Sequence, residues 1–205
     1  MKRSRQRLCR YALVFAGLAA VSGCASPARE SAMVVDVAPQ HVIAEDSSLL
    51  QSVDLQGVSG GESTNPLWTS EIGNPEFEKA LRNSLANHAM LAKGDGRFVL
   101  VATLQKVDQP FFGASMTVTA TVRYVVTERA TSEVYFDETI TRPYTAKFSD
   151  SFLGVERLRL ANEGAARVNI EAFIDGVIAR SKRPDGASSG LAPWPGLSIA
   201  QIEVR

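Results

Sequence analysis

Gly57-Val58-Ser59-Gly60-Gly61 has the G-x-S-x-G spacing of a nucleophile elbow, in which a strand carries a serine hydroxyl into a sharp turn and a helix follows at once. The residues before Ser59 suit a strand, but helix-forming sequence resumes only at Asn74. The one histidine downstream is His88, and no aspartate lies between it and Ser59. Ser59 therefore reads as part of a glycine turn, with a serine hydrolase as the alternative. Metal chemistry finds few ligands, because His41 and His88 are the only histidines and Cys9 and Cys24 the only cysteines. Neither C-x-x-C, H-E-x-x-H, a phosphate loop nor a dinucleotide fingerprint occurs. The expectation is a protein with no catalytic residues, no metal site and no cofactor.

Cys24 is the residue with a chemical context. Lys2, Arg3, Arg5, Arg7 and Arg10 are followed by an apolar run from Tyr11 to Val21. That run is too short for the roughly 20-residue helix a bilayer demands, so it reads as a signal peptide. It closes on Val21-Ser22-Gly23-Cys24, which resembles the lipobox of bacterial lipoproteins. Small residues let an extended backbone enter a peptidase cleft, and a thiolate is the soft nucleophile able to take up a diacylglyceryl group. A cysteine bearing several acyl chains holds a protein on a membrane, whereas one chain does so only marginally. Cys9 leaves with the signal, and the single cysteine remaining can form no internal disulfide. Ala25 and Ser26 follow Cys24 where an aspartate is absent; similarity to proteobacterial lipoproteins implies the periplasmic face of the outer membrane rather than the inner membrane.

Two further groups are candidates for contact with a partner. Phe111 and Phe112 are adjacent in the connection Asp108 to Ser115. They cannot both enter one core without bending the chain, so either one is exposed to lipid or protein, or the loop folds back. Arg157 and Glu163 sit among small residues of a helical stretch, where they serve a polar contact or pair along a solvated face.

Composition sets the frame around these residues. Apolar residues are 45% and charged residues 21%, a globular balance. The net charge of zero conceals a division: all five basic residues before Cys24 leave with the signal, and the remainder is acidic by about five charges. Nothing there offers a footprint for nucleic acid.

The elements follow from periodicity. Leu50 to Gly57 suits a strand, with Val53 and Leu55 inward and Gly60-Gly61 as its stop. A helix is expected from an Asn74 cap and Pro75 to the Gly94-Asp95-Gly96 turn, with Phe77, Ala80, Leu81, Ser84, Leu85 and His88 recurring on one face and His88 at its surface or boundary. Phe98 to Val107 is apolar on both faces, like a central strand. Met116, Val118, Ala120, Val122, Tyr124 and Val126 alternate with polar residues, and Val134, Phe136, Glu138 and Ile140 share the face of another strand. Short connections make these three an antiparallel meander. A second helix is expected from Phe152 to Ile178, capped by Ser149 or Asp150, with Leu158, Ala161, Ala165, Val168 and Ala172 as its stripe. The fold class is α+β, a two-layer sandwich with two helices on one face of a mostly antiparallel four-stranded sheet, the other face bearing threonines. The domain division is a signal peptide at 1–23, a lipidated tether at 24–49, the α+β domain at 50–180, and a linker with a C-terminal tail at 181–205.

A lipobox, a strand, the F-x-x-A-L-x-x-S-L helix of Phe77 to Leu85, a three-strand meander and a long last helix are similar in order to the lipopolysaccharide-assembly lipoprotein family of the outer membrane. The resemblance implies a non-enzymatic accessory lipoprotein attached to the membrane through acylated Cys24. It would bind an envelope protein or a lipid, in outer-membrane assembly. A lipid or glycolipid carrier, with acyl chains between helices and sheet, is the alternative.

Overall fold

The computed structural model describes residues 25–64 and 70–182. The signal segment, Cys24 and the tail beyond Lys182 lie outside the described residues. Four strands form one sheet: β1 Val53–Ser59, β2 Phe98–Asp108, β3 Met116–Glu128 and β4 Val134–Ala146, in spatial order β1-β2-β3-β4. The β2, β3 and β4 strands are the antiparallel meander that short connections require. The β1 strand runs parallel to β2. A parallel pair needs a long crossover, and the helix between them supplies it.

Alternation decides the buried face. In β3 the side chains of Met116, Val118, Ala120, Val122, Tyr124 and Val126 are all buried. In β2, Phe98, Leu100, Ala102 and Leu104 are buried, while Val101 remains exposed. The strand is central in order and apolar on both faces, as its sequence indicates, yet only one face is covered. On the open face Thr117 and Thr121 of β3 pair across the ladder with Thr145 and Thr141 of β4, and the Arg123 fork donates to both oxygens of Asp137.

Two long helices cover the other face, and a short helix with an extended strap packs over those helices in turn. The first in chain order, α1, is the single turn Glu30–Met33. The second, α2, spans Asn74–Asn87 with Pro75 in its first turn, and buries Phe77, Ala80, Leu81, Ser84 and Leu85. Gly73 holds the cap position instead of Asn74, whose Oδ1 accepts from the Gly61 N–H at 2.7 Å and so ties the loop after β1 to the helix start. This helix stops well before the glycine turn expected to end it. Ala89 takes a left-handed φ of 54° and Met90 N–H returns to Leu85 C=O at 2.8 Å, closing the terminus with no glycine.

The third helix, α3, spans Gly154–Ser181, starting two residues after Phe152. Its cap is Leu153; Asp150, expected there, instead accepts the Lys147 N–H in the preceding turn. The helix buries the expected apolar residues with Val168 and Ala172 at the margin, but also Arg157, Asn162, Glu163 and Asn169. At Gly164 the sheet leaves no room for a side chain: a Cβ there would lie 2.1 Å from the Tyr144 ring.

Asn169 pins α3 to the sheet. Its amide donates to Ala120 C=O at 2.9 Å on β3 and Ile140 C=O at 2.8 Å on β4, and its Oδ1 accepts from the Tyr124 hydroxyl at 2.9 Å. Tyr124 stacks on Phe173 of the same helix with centroids 4.3 Å apart.

Residues 25–49, expected to be a tether, are packed against the domain. Met33, Val35 and Leu49 are buried in the core, and Val35 N–H donates to Ser84 Oγ at 2.9 Å. The strap covers the side of α3 turned away from the sheet, which is why that helix is buried around so much of its circumference. His41 Nε2 meets Asp175 Oδ1 of α3 at 2.5 Å, and His88, which continues the apolar spacing of α2, is buried beside His41 with its Nδ1 donating to Ser84 C=O.

The pin carries an alkaline signature. Burial pushes the Tyr124 phenol well above the ordinary tyrosine range. The folded state keeps this proton while the unfolded chain releases it near pH 10 or so. The stability it contributes is complete below that pH and falls as pH rises beyond it, by up to about 1.4 kcal/mol per unit. In urea titrations from pH 8 to 11, Tyr124→Phe is expected to flatten this loss relative to the parent protein. Asn169→Ala is expected to cost about 3 kcal/mol at neutral pH, because it leaves a hydroxyl and backbone carbonyls without partners in the core.

Candidate functional site

One end of the sandwich gathers the last residues of β1, β2 and β4, the start of β3 and the first turn of α3. Two connections leave the sheet there, residues 109–115 and 147–153. They display phenylalanines to solvent: Phe111 is 97% exposed, Phe112 88% and Phe152 79%. Phe148 and Leu153 are about half exposed, and the Phe148 ring meets Phe152 edge-on at 5.2 Å. Isolated exposed apolar residues need no explanation, but a group of large ones on two adjoining loops does.

Arg157 ties these loops together. It is buried, and its guanidinium donates to Ser151 C=O at 2.7 Å in one loop and Gly113 C=O at 3.0 Å in the other. Its Cζ stands 5.1 Å from the centre of the Phe148 ring. No carboxylate pairs with it among the described residues. A cation in the first turn of a helix also opposes the helix dipole. The charge is therefore met by the loop carbonyls at its two terminal nitrogens and by an aromatic face, with Nε buried and unbonded, a geometry that holds only while both loops keep their positions. Arg157 is a scaffold under the phenylalanines, and the partner surface expected of it is occupied by its own chain.

Glu163 is likewise turned inward. Its Oε1 accepts from Arg29 N–H at 2.9 Å, Arg29 Nε at 3.0 Å and Arg159 Nη1 at 2.9 Å. The carboxylate fastens the strap to α3 rather than facing outward. Beside it, Ser70 joins the strap to the loop root: its hydroxyl donates to Ser26 C=O at 2.7 Å, and its own carbonyl accepts from Asn162 Nδ2 at 2.6 Å and Gln109 Nε2 at 3.2 Å. Gln109 is the residue before Pro110 and Phe111. The start of the described chain is thus held against the base of the phenylalanine loop.

A cleft of about 370 Å³ opens beside that base, lined by Glu62, Glu71, Lys106, Asp108 and Phe111 among others. Lys106 is paired with Asp108 at 2.7 Å, so the lining is acidic on balance. The layer between helices and sheet, where a lipid carrier would hold acyl chains, is filled by Leu100, Tyr124, Phe77 and Phe173, all fully buried.

Ser59 has no catalytic surroundings among the described residues. Its hydroxyl pairs with Thr103 Oγ1 at 3.3 Å, an ordinary contact between neighbouring strands. His88 lies by the other end of β1, where Val53 N–H bonds Met90 C=O, so the length of the strand, roughly 20 Å, separates the two. The helix after Ser59 begins at Asn74, so the strand-turn-helix of an elbow is not formed.

Sequence reasoning identified Phe111 and Phe112 but missed Phe148, Phe152 and Leu153. Their signal was the i, i+4 spacing of Phe148 and Phe152, which pairs rings when the turn between is helix-like. Placing Phe152 at the start of the helix, two residues before it begins, concealed it.

No family model and no curated protein matches this sequence. Solved structures do resemble it. A Xanthomonas campestris protein described as DUF330 is 9% identical, over 68% of this chain and 90% of that one, with a TM-score of 0.51. A Caulobacter crescentus structure is 11% identical over 64% and 91%, with a TM-score of 0.47. An Acinetobacter baumannii protein described as a minor lipoprotein is 10% identical over 63% and 94%, with a TM-score of 0.43. The Xanthomonas likeness is one of fold, and it spans nearly the whole of that chain. Among the described residues of the present protein no helix is long and apolar enough to cross a membrane.

Replacing Arg157 by methionine keeps the length of the side chain and removes its donors. The Ser151 and Gly113 carbonyls then lose charged hydrogen bonds, and the substitution is expected to cost about 1.5–3 kcal/mol. Limited proteolysis should show earlier cleavage within 109–115 and 147–153, while the far-ultraviolet circular dichroism stays that of the parent.

Proposed function

We propose that this chain is a membrane-anchored, non-enzymatic accessory lipoprotein of the bacterial envelope. It is acylated at Cys24, held on the periplasmic face of the outer membrane, and works by contact through its phenylalanine loops. The observation that carries this reading is a juxtaposition: the lipobox cysteine immediately precedes Ala25, and the chain from Ser26 onward is fastened to the root of those loops. A fold fastened so close to its anchor keeps its orientation relative to the membrane, which a long flexible linker does not allow. Ser59 without a base, together with the filled core, favours work done by a surface over work done by a reactive group or an internal lipid site.

The test begins at the anchor. Metabolic labelling with a palmitate analogue should mark the parent chain, and mass spectrometry should find a modified Cys24 as the first residue. Cys24→Ser should abolish the label and release the protein from sedimented envelopes. An unmodified, freely soluble parent chain would overturn the reading. Gradient separation of the two membranes then checks the outer-membrane assignment.

A further inference from the structure

We infer that the phenylalanine end of this protein is a second membrane contact, inserting shallowly into the same lipid surface that holds the anchor. The inference rests on the lipoprotein reading for its orientation, and on the loops themselves for its chemistry.

The position of the chain start is the first argument. Cys24 is bonded to Ala25, and Ser26 accepts a hydrogen bond from Ser70. At no more than about 3.6 Å per residue, the two residue steps between Cys24 and Ser26 leave the anchor cysteine no more than about 7 Å of backbone reach from Ser26. Ser70 in turn accepts from Gln109, two residues before Phe111. Anchor and aromatic loop therefore emerge from the same end of the sandwich, and a bilayer that takes up one lies within reach of the other. The C-terminus of α3, the β3–β4 turn and the His41–Asp175 contact all belong to the opposite end.

The second argument is the shape of the apolar group. Phe111 and Phe112 stand on one projecting turn, with Phe148, Phe152 and Leu153 on its neighbour. Projecting side chains make poor lining for a ligand but suit insertion between lipid headgroups, where a rigid ring enters with little loss of rotamer freedom. Arg157 holds the loops from beneath, so their spacing is set before contact.

Charge selects the kind of surface. Glu62, Glu71 and Asp108 flank the root of the first loop, where Lys106 is paired with Asp108, and on the second loop the exposed Lys147 is balanced by Asp150, so the end is acidic by a small margin. An anionic surface would be repelled there and a zwitterionic one would not. The contact is accordingly apolar, and insensitive to salt over ordinary ranges.

The experiment uses the full mature chain from residue 24. In the acylated protein, whose Cys24 thiol is blocked, Phe112→Cys is labelled with a nitroxide and reconstituted into phosphatidylcholine–phosphatidylethanolamine vesicles, with Thr139→Cys on the open sheet face as control. The label at 112 should be reached by oxygen and shielded from a water-soluble nickel reagent, and the label at 139 should stay in water. In parallel, Cys24→Ser protein with intact loops should partition weakly into the same vesicles, with Phe111→Ser/Phe112→Ser weakening this by about tenfold or more. Adding phosphatidylglycerol should not strengthen binding. A nitroxide at 112 that remains in water on acylated protein overturns the inference and leaves the anchor reading standing. So does its shielding by a cross-linkable protein in native envelopes without any vesicle signal. An unacylated Cys24 overturns the anchor reading, and the Cys24→Ser vesicle measurement then decides the loops separately.

Discussion

The register of one long helix against the sheet governs the rest of this structure, and Asn169 sets that register. A buried amide is costly unless its donors and acceptor are all engaged, and here strand carbonyls and the Tyr124 hydroxyl engage them. Apolar packing alone tolerates a helix that slides or turns a little; a satisfied amide does not. With Asn169 in place, Gly164 falls opposite Tyr144, where no larger residue fits. Arg157, twelve residues and roughly 18 Å earlier along the helix, then arrives under the two loops.

Polar groups thus perform the positioning and apolar groups provide most of the stability. The fully buried layer of Leu100, Tyr124, Phe77, Ile170 and Phe173 excludes water between helices and sheet. Glu163 and Ser84 fasten the strap, and Arg157 fastens the loops. Each is a buried group with at least one partner from a segment distant in the chain. The consequence is a domain whose polar cross-links extend to the base of its exposed phenylalanines, with its chain start held at the same place.

Much of this architecture was legible in the sequence. The alternation of Met116 to Val126 marked β3 and its buried face, and the helical spacing of Phe77 to Leu85 marked α2. The threonines indicated the open face. Boundaries were less legible: Ala89 ends α2 in a left-handed conformation that no residue-type rule assigns to alanine, and Leu153 begins α3 without a side-chain cap. The strap was the largest difference. Ala28, Met33 and Val35 follow no period, because the segment winds over two helices instead of repeating against one surface. The exposure of Phe111 and Phe112 was legible from their adjacency in a connection, whereas Arg157 and Glu163 were visible only as charges whose direction was unknown.

The sequence by itself determined what is encoded within a few residues: the two-residue period of the strands and the 3.6-residue period of the helices. Tertiary structure decided which polar side chains turn inward and which segments meet. Arg29 finds Glu163 across 134 positions and Asn162 finds Ser70 across 92, and no short window contains both members of either pair. Local patterns report the backbone conformation that buries a face. The choice between a charge in water and a charge in the core depends on whether a distant partner arrives, and that is a property of the assembled fold.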